Sequence, residues 1–525
     1  MTLKLFDTTL RDGTQAEEIS FTVDDKLYIA RLLDEFGIHY IEGGWPGSNP
    51  KDLDFFREAK KLQLSQAKIT AFGATRRASQ SCDKDSNVQA LIKSEAPIAC
   101  IFGKGWDLHV TAALGIELEQ NLELIEDTVA YLKKYFDEVI FDAEHFFDGY
   151  NANPDYAIQA MQAAQKGGAD YLVPCDTNGG VLPWEVTAAV EALQAQCNKP
   201  IGIHVHNDVD TAVASTLLAV QKGAIMVHGT INGIGERCGN ANLVSVIANL
   251  QLKMGYECVS PDNLKKLTNL SRTVQELANM REWKNQPFVG DSAFAHKGGV
   301  HVSAVMKNPL TYEHIEPELV GNRRRVLISD LSGRSNIIYK LEELGINMDA
   351  KDPALIKIVD EIKQMENEGY AYEGADASLE MLIHKVRGDA KEYFDIKGYR
   401  VVDERQVSGE PVSEATVRLQ LANGEIAHTV SLGNGPVDAL NGALMKALSE
   451  HYPVLEEVHL TDYKVRILNS HMGTKAVTRV MIEYSDGKDH WNTVGVDSDV
   501  IGASYAALVD SVRYKLYKEN QEPLH

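Results

Sequence analysis

Eight short, β-rich apolar runs punctuate the first half of this chain, and stretches with helical periodicity alternate with them. The runs are LKLF from Leu3, YIEGG from Tyr40, KITAFG from Lys68, PIACIFG from Pro97, EVIFDA from Glu138, DYLVPC from Asp170, PIGIHVH from Pro200 and AIMVHGT from Ala224. DDKLYIARLLDEFG after the first run and NLELIEDTVAYLKKYF before the fifth carry apolar residues three and four apart, as amphipathic helices do. Eight strand–helix units in about 250 residues match the size of a (β/α)8 TIM barrel, whereas a doubly wound sheet usually needs fewer units. A barrel of this kind collects its chemistry at the C-terminal ends of its strands. The residues just after each run are therefore the ones to inspect.

The remainder of the chain obeys a different rhythm. A length of 525 residues exceeds what one core organises, since single cores stop growing at roughly 250 to 300 residues. Past about residue 285 the alternation ends, and a segment with FAHKGGVH, NRRRVLISDLSGRSN and several helical stretches reads as a helical linker subdomain over 286–392. From Tyr393 the pattern turns strand-rich: ATVRLQLANGEIAHTVSLGNG precedes a helix-like VDALNGALMKALSEHY. About 63 residues later, TRVMIEYSDGKDHWNTVGVDSDVIGASYAALVDSVRYKL repeats the order of hairpin, glycine-containing turn and helix. The expected architecture is α/β overall, with a barrel over 1–285, the linker subdomain, and a pseudo-symmetric α+β domain over 393–525.

Charge and composition narrow the function. With 75 acidic against 52 basic residues the formal charge is -23, which opposes binding to nucleic-acid phosphates and anionic membranes. An anionic substrate would need a local arginine or metal ion. Six cysteines without a CxxC pair indicate neither a disulfide framework nor a zinc ribbon. No secretory leader pattern opens the sequence and no stretch of 18 apolar residues occurs in it, so a cytoplasmic location is expected.

The strongest chemical signal is HVHND at the end of the seventh run. His204 and His206 lie two apart, so on a strand both imidazoles point to one face and reach one ion. A pair of core histidines is the competing reading, disfavoured because unpartnered polar groups are costly inside a barrel. Asp12, in DTTLRDGTQ after the first run, is a second candidate ligand, separated from strand seven only by strand eight in a closed barrel. Asn240, in GIGERCGN after the eighth run, offers a neutral oxygen. One carboxylate, two imidazoles and an amide suit a divalent ion such as Mn²⁺, Mg²⁺ or Zn²⁺, with positions left for substrate oxygens. The glycines of GIGERCGN have the wrong spacing and place for a dinucleotide site. Arg11 is placed to neutralise an oxyanion beside the ion, or else to pair with a neighbouring acid. Glu144 and Thr177 fall at the ends of runs five and six, where a helix cap is an equal alternative.

Together, DTTLRDGTQ, HVHND, GIGERCGNAN and FAHKGGVH resemble, in order and spacing over nearly the whole chain, the 2-isopropylmalate, homocitrate and citramalate synthase family. GGWPGSNPKD after the second run is most similar to the citramalate branch, and the C-terminal repeat resembles the family's regulatory domain. The resemblance implies that Asp12, His204 and His206 bind the metal, with Asn240 a further ligand or a group just behind the ligands. It implies that Arg11 and Thr177 contact an α-keto acid, that Glu144 is the catalytic carboxylate, and that His301 and Tyr312 are brought to the barrel mouth. The family commonly has Gln-Asp after that histidine, where this chain has Val302 and Ser303. Condensation of acetyl-CoA with the keto acid, pyruvate by resemblance, is the expected activity, with His301 and Glu144 handling the proton. A homodimer with isoleucine as effector at the C-terminal domain is the expected assembly. A lyase of the same superfamily and a non-catalytic amino-acid sensor are the alternatives.

Overall fold

The computed structural model describes residues 3–329, 332–346, 348–349, 351–405, 411–468 and 476–525. Two residues of the NRRRVLISDLSGRSN stretch, 330 and 331, lie outside them. The chain forms two compact units, one of residues 1–294 and 314–324, the other of residues 295–313 and 325–525.

In the first unit all eight apolar runs become strands: β1 (Lys4–Asp7), β2 (Tyr40–Gly44), β3 (Lys68–Ala74), β4 (Ile98–Lys104), β5 (Glu138–Glu144), β6 (Tyr171–Asp176), β7 (Gly202–Val205) and β8 (Met226–Gly229). They pair in parallel and in sequence order, and β8 closes on β1 through Leu5 opposite Val227. Helices cover the outside. The first, Val23–Phe36, starts at a reciprocal Thr22–Asp25 cap, ends at Gly37 with φ 112°, and buries Ile29, Ala30, Leu33 and Phe36. Inside the barrel, Phe6, Tyr40, Ile98, Cys100, Ile140, Val173 and Met226 pack against one another and fill the interior below the mouth.

One irregularity matters for that upper end. The β2–β3 register slips between Glu42 and Gly44, and Gly44 takes φ 149°, with the Asp52 carboxyl where its side chain would stand. Asp52 accepts from the Trp45 N–H at 2.9 Å and from Lys26 Nζ at 2.6 Å, and Lys26 also donates to the Gly43 carbonyl at 3.1 Å. Burial pushes the Lys26 ammonium below the usual lysine range, with Asp52 opposing it. Removing one partner of such a pair strands a buried charge. Lys26→Met is therefore expected to destabilise the protein by about 3 kcal/mol, read as a lower denaturant midpoint at an unchanged slope.

The second unit opens with a two-strand parallel pair, β9 (Ala295–His296) and β10 (Arg325–Val326), followed by helices Arg334–Glu343, Pro353–Asn367 and Asp376–Arg387. Two three-stranded antiparallel sheets then follow. They comprise β11 (Phe394–Arg405), β12 (Pro411–Leu421) and β13 (Ile426–Gly433), and β14 (His459–Ile467), β15 (Thr478–Ser485) and β16 (His490–Asp497). Each sheet is followed by one helix, Pro436–Leu448 or Val500–Lys518. The repeat read from the sequence is thus larger than a hairpin, because a further strand precedes each copy. Matching threonines mark it: Thr429 Oγ donates to the Ala443 carbonyl at 2.7 Å, and Thr493 Oγ to that of Ala507 at 2.8 Å. Among the described residues no helix is long and apolar enough to cross a membrane.

Candidate active site

Asp12, His204 and His206 converge at the C-terminal mouth of the barrel. Asp12 sits in the turn after β1, its backbone N–H reaching Thr8 Oγ at 3.3 Å. Its Oδ2 lies 3.4 Å from His204 Nε2, 4.0 Å from His206 Nε2 and 3.5 Å from Arg11 Nη1. His204 ends the inward face of β7, and His206, just past the strand, bridges to Asn240. All four side chains are buried, yet Asp12 Oδ2, Nδ1 of each histidine and both amide atoms of Asn240 lack a hydrogen-bond partner. Buried polar atoms are ordinarily satisfied, so several orphans around one carboxylate fit a cation bound among them.

The protonation states suit that fit. Burial alone would raise the Asp12 carboxyl, but the charges of Arg11, His204 and His206 outweigh it and hold the group below the usual carboxylate range. Burial pushes the His204 imidazole down to about 3 against the pull of Asp12, and lowers His206 likewise. An anionic carboxylate and neutral imidazoles are the forms a metal ion takes.

Arg11 is held from two sides. Its Nε donates to Glu42 Oε2 at 2.7 Å, and its guanidinium lies 3.7 Å over the Phe72 ring. Only the Nη edge is left to face Asp12. Burial opposes the guanidinium charge, but Asp12 and Glu42 more than compensate, so it stays firmly cationic. Glu42 is fully buried and also accepts from Thr8 Oγ. It was not singled out in the sequence, where its one signal is an ionisable residue inside the apolar run YIEGG.

Glu144 closes β5 and is ion-paired with Lys104, its register partner at the end of β4. Thr177 follows β6, and its Oγ accepts from the His145 N–H at 2.8 Å. The Thr177 carbonyl accepts from Arg237 Nη2 at 2.7 Å, and Arg237 grips Asp208 at 2.8 and 3.0 Å, so the loops after β6, β7 and β8 are tied together. The glycines of GIGERCGN have a packing role. Gly239 has φ 85° and a Cβ there would lie 1.9 Å from the Gly233 carbonyl oxygen, while one on Gly235 would lie 2.2 Å from Asn240 Nδ2. Gly235→Ala must displace the Asn240 amide, and an expected ten- to hundredfold or so loss of divalent-ion affinity would register in a calorimetric titration.

Beneath the cluster lies a second polar layer that the sequence did not announce. Asp142 of β5 and His228 of β8 approach to 4.0 Å, and His228 stacks on Phe6 and stands edge-on to His204. Burial, with Glu42 nearby, raises the Asp142 carboxyl to about 8. His301 and Tyr312 belong to the other unit, where their rings stack at 4.2 Å and both are exposed. Val302 is buried in the helix Gly299–Lys307.

Residues 2–274, which form the closed parallel barrel with the Asp-His-His cluster at its mouth, match the HMGL-like family. Residues 288–370 match the homocitrate synthase post-HMGL domain-like family, and residues 373–516 the LeuA allosteric (dimerisation) domain. Over 522 residues the chain is 58% identical to an (R)-citramalate synthase of Aquifex aeolicus, covering 99% of this chain and 98% of that one. It is 57% identical to that of Geobacter sulfurreducens over 520 residues, covering 99% and 98%, and 49% identical to that of Synechocystis over 526 residues, covering 98% and 96%. The chain belongs to the (R)-citramalate synthase family. Enzymes of the HMGL-like family depend on a divalent metal, and the buried cluster is a possible site for one.

Proposed function

We propose that this chain joins acetyl-CoA to pyruvate, with hydrolysis of the thioester, to yield citramalate and CoA. The buried Asp12, His204 and His206 cluster with Arg11 at its edge is the observation that carries the reading, in a chain alike from end to end to (R)-citramalate synthases. Asp12, His204 and His206, with Asn240 beside them, would hold a divalent ion, Mn²⁺ or Mg²⁺ in preference to Zn²⁺, which when bound would supply Lewis acidity for the condensation. Arg11 presents its Nη edge to the charge that develops on the former ketone oxygen. Thr177, oriented by the His145 N–H, steadies the keto acid at the β6 end.

The remaining chemistry is proton transfer. The acetyl methyl group loses a proton to His301, assigned as base by family resemblance and helped by Glu144, with Tyr312 stacked on it. The methyl carbon then bonds to the keto carbon as the C=O electron pair moves onto the ketone oxygen, which takes up a proton to become the tertiary hydroxyl, and water then hydrolyses the thioester to the carboxylate and free CoA thiol. We assign catalysis to 1–285 with 286–392 supplying His301, and regulation to 393–525, where isoleucine is the proposed effector of a homodimer. CoA release with acetyl-CoA and pyruvate, 2-oxoisovalerate or 2-oxoglutarate, each with and without EDTA, tests the reading. EDTA-sensitive turnover with pyruvate alone is expected. A preference for another keto acid would move the substrate, and no turnover with any of them would end the synthase reading.

A further inference from the structure

The turn that leaves β5 is strained, and the strain lies between two residues of the site. His145, directly after Glu144, takes φ 56° and ψ 32°, a left-handed conformation that few residues with a side chain adopt. Such backbone persists only where its surroundings hold it. In this conformation the His145 N–H points at Thr177 Oγ, 2.8 Å away. Thr177 Oγ is thereby an acceptor, and among the described residues nothing takes its own hydrogen. That hydrogen is left to donate from a partly exposed side chain at the barrel mouth.

Asp148 holds the turn in place. His145 Nδ1 lies 3.1 Å from Asp148 Oδ2, and the same oxygen accepts from Asn178 Nδ2, also at 3.1 Å, so one carboxylate ties the β5 loop to the residue after Thr177. Burial would raise the Asp148 carboxyl, but the bonds from His145 and Asn178 hold it below the usual carboxylate range. A carboxylate only accepts, so Nδ1 of His145 carries the hydrogen and donates. Behind this pair the buried His145 ring lies 4.1 Å from that of His109, which Trp106 backs at 5.2 Å. A Cβ on Gly149 would lie 2.4 Å from the Gly105 carbonyl oxygen, so the helix Phe146–Ala152 that carries Asp148 rests on the backbone of the loop after β4. The couple stands past the last residues of β5 and β6, outside the barrel's hydrogen-bond ladder.

We infer that His145 and Asp148 are positioning residues for the condensation: the left-handed turn at His145 aims the Thr177 hydroxyl at the keto acid, and Asp148 locks that turn against the β6 loop. The inference rests on the synthase reading above, in which Thr177 contacts the keto acid, and adds to it the residues that set the direction of that contact. A hydroxyl free to rotate spreads its hydrogen over several directions. One whose oxygen is committed to a fixed N–H donates only in those that remain, so its orientation is settled before the keto acid arrives. Both residues act through Thr177, and their effect therefore falls on the keto acid and not on acetyl-CoA.

The test is a double-mutant cycle in the metal-loaded full-length protein, with kcat and KM measured for pyruvate and for acetyl-CoA. Thr177→Val removes the hydroxyl at nearly constant shape and is expected to raise KM for pyruvate ~10-fold or more. His145→Val, whose branched side chain opposes a positive φ, should raise it similarly, and His145→Asn should raise it less, because asparagine adopts the left-handed turn unaided. The variant carrying both Thr177→Val and His145→Val should stay within threefold or so of either alone, since both remove the same hydrogen bond, and KM for acetyl-CoA should hold throughout. Asp148→Ala is expected to follow His145→Val and takes its place in the cycle if the valine variant does not fold. Losses that multiply in the double variant, an asparagine variant as impaired as the valine one, or an unchanged pyruvate KM in every folded His145 and Asp148 variant would each overturn the inference. Failure of wild type to turn over any keto acid would instead sink the synthase reading, so the two outcomes are distinguishable.

Discussion

Asp12→Asn is expected to lower kcat/KM for CoA release by about 10³-fold or more while the protein stays folded. Among the described residues Asp12 is the carboxylate whose oxygen faces both His204 and His206, and none of them hydrogen-bonds that oxygen. An amide of the same shape keeps the packing but removes the negative charge that makes the cluster attractive to a divalent ion. A Lewis acid contributes several kcal/mol of transition-state stabilisation, and about 4 kcal/mol corresponds to three orders of magnitude in rate. Two readouts separate function from folding. Calorimetric titration with Mn²⁺ should show the affinity lost, and the melting temperature without metal should hold within a few degrees, because no hydrogen bond to Oδ2 is broken. A variant that binds Mn²⁺ normally and turns over within tenfold or so of wild type would remove Asp12 from the ligand set.

Arg11→Lys should cost about 10²- to 10³-fold in kcat and leave Mn²⁺ affinity almost unchanged. A lysine keeps the charge but cannot reproduce the arrangement observed, in which Nε is bound to Glu42, the flat face lies on Phe72 and the Nη edge faces Asp12. Its single ammonium must choose between Glu42 and the substrate. The comparison with Asp12→Asn is therefore diagnostic: one variant loses the ion, the other loses the rate with the ion still held. An Arg11→Lys enzyme with wild-type kcat and only a raised KM would make Arg11 a substrate anchor without a part in the transition state.

What could be read from the sequence followed from short-range rules. Strand and helix periodicities are local, so the eight runs became eight strands, and the spacing of His204 and His206 placed them on one face before any neighbour was known. The identity of the inward face then followed from the cost of leaving two imidazoles without partners. The C-terminal repeat was visible for the same reason, although its first strand was missed in both copies because only the hairpin and helix keep a similar pattern.

Contacts between distant strands were not legible, since register and closure decide them. Glu42 reaches Arg11 only because β2 lies beside β1, and its bulge is fixed by Lys26 and Asp52 from two different helices. Asp142 and His228 meet across the barrel from β5 and β8, and each looks in sequence like an isolated polar residue in an apolar run. The glycines of GIGERCGN were recognisable as a tight loop, but that Gly235 makes room for the Asn240 amide and Gly239 for the Gly233 carbonyl is a matter of close approach within angstroms. Periodicity and spacing thus determined the barrel and the candidate Asp-His-His cluster, whereas the support of Arg11 and the second polar layer were decided by tertiary packing. The physical reason is that a side chain's direction is set by its own strand, but its partner is set by how far the neighbouring strands are staggered.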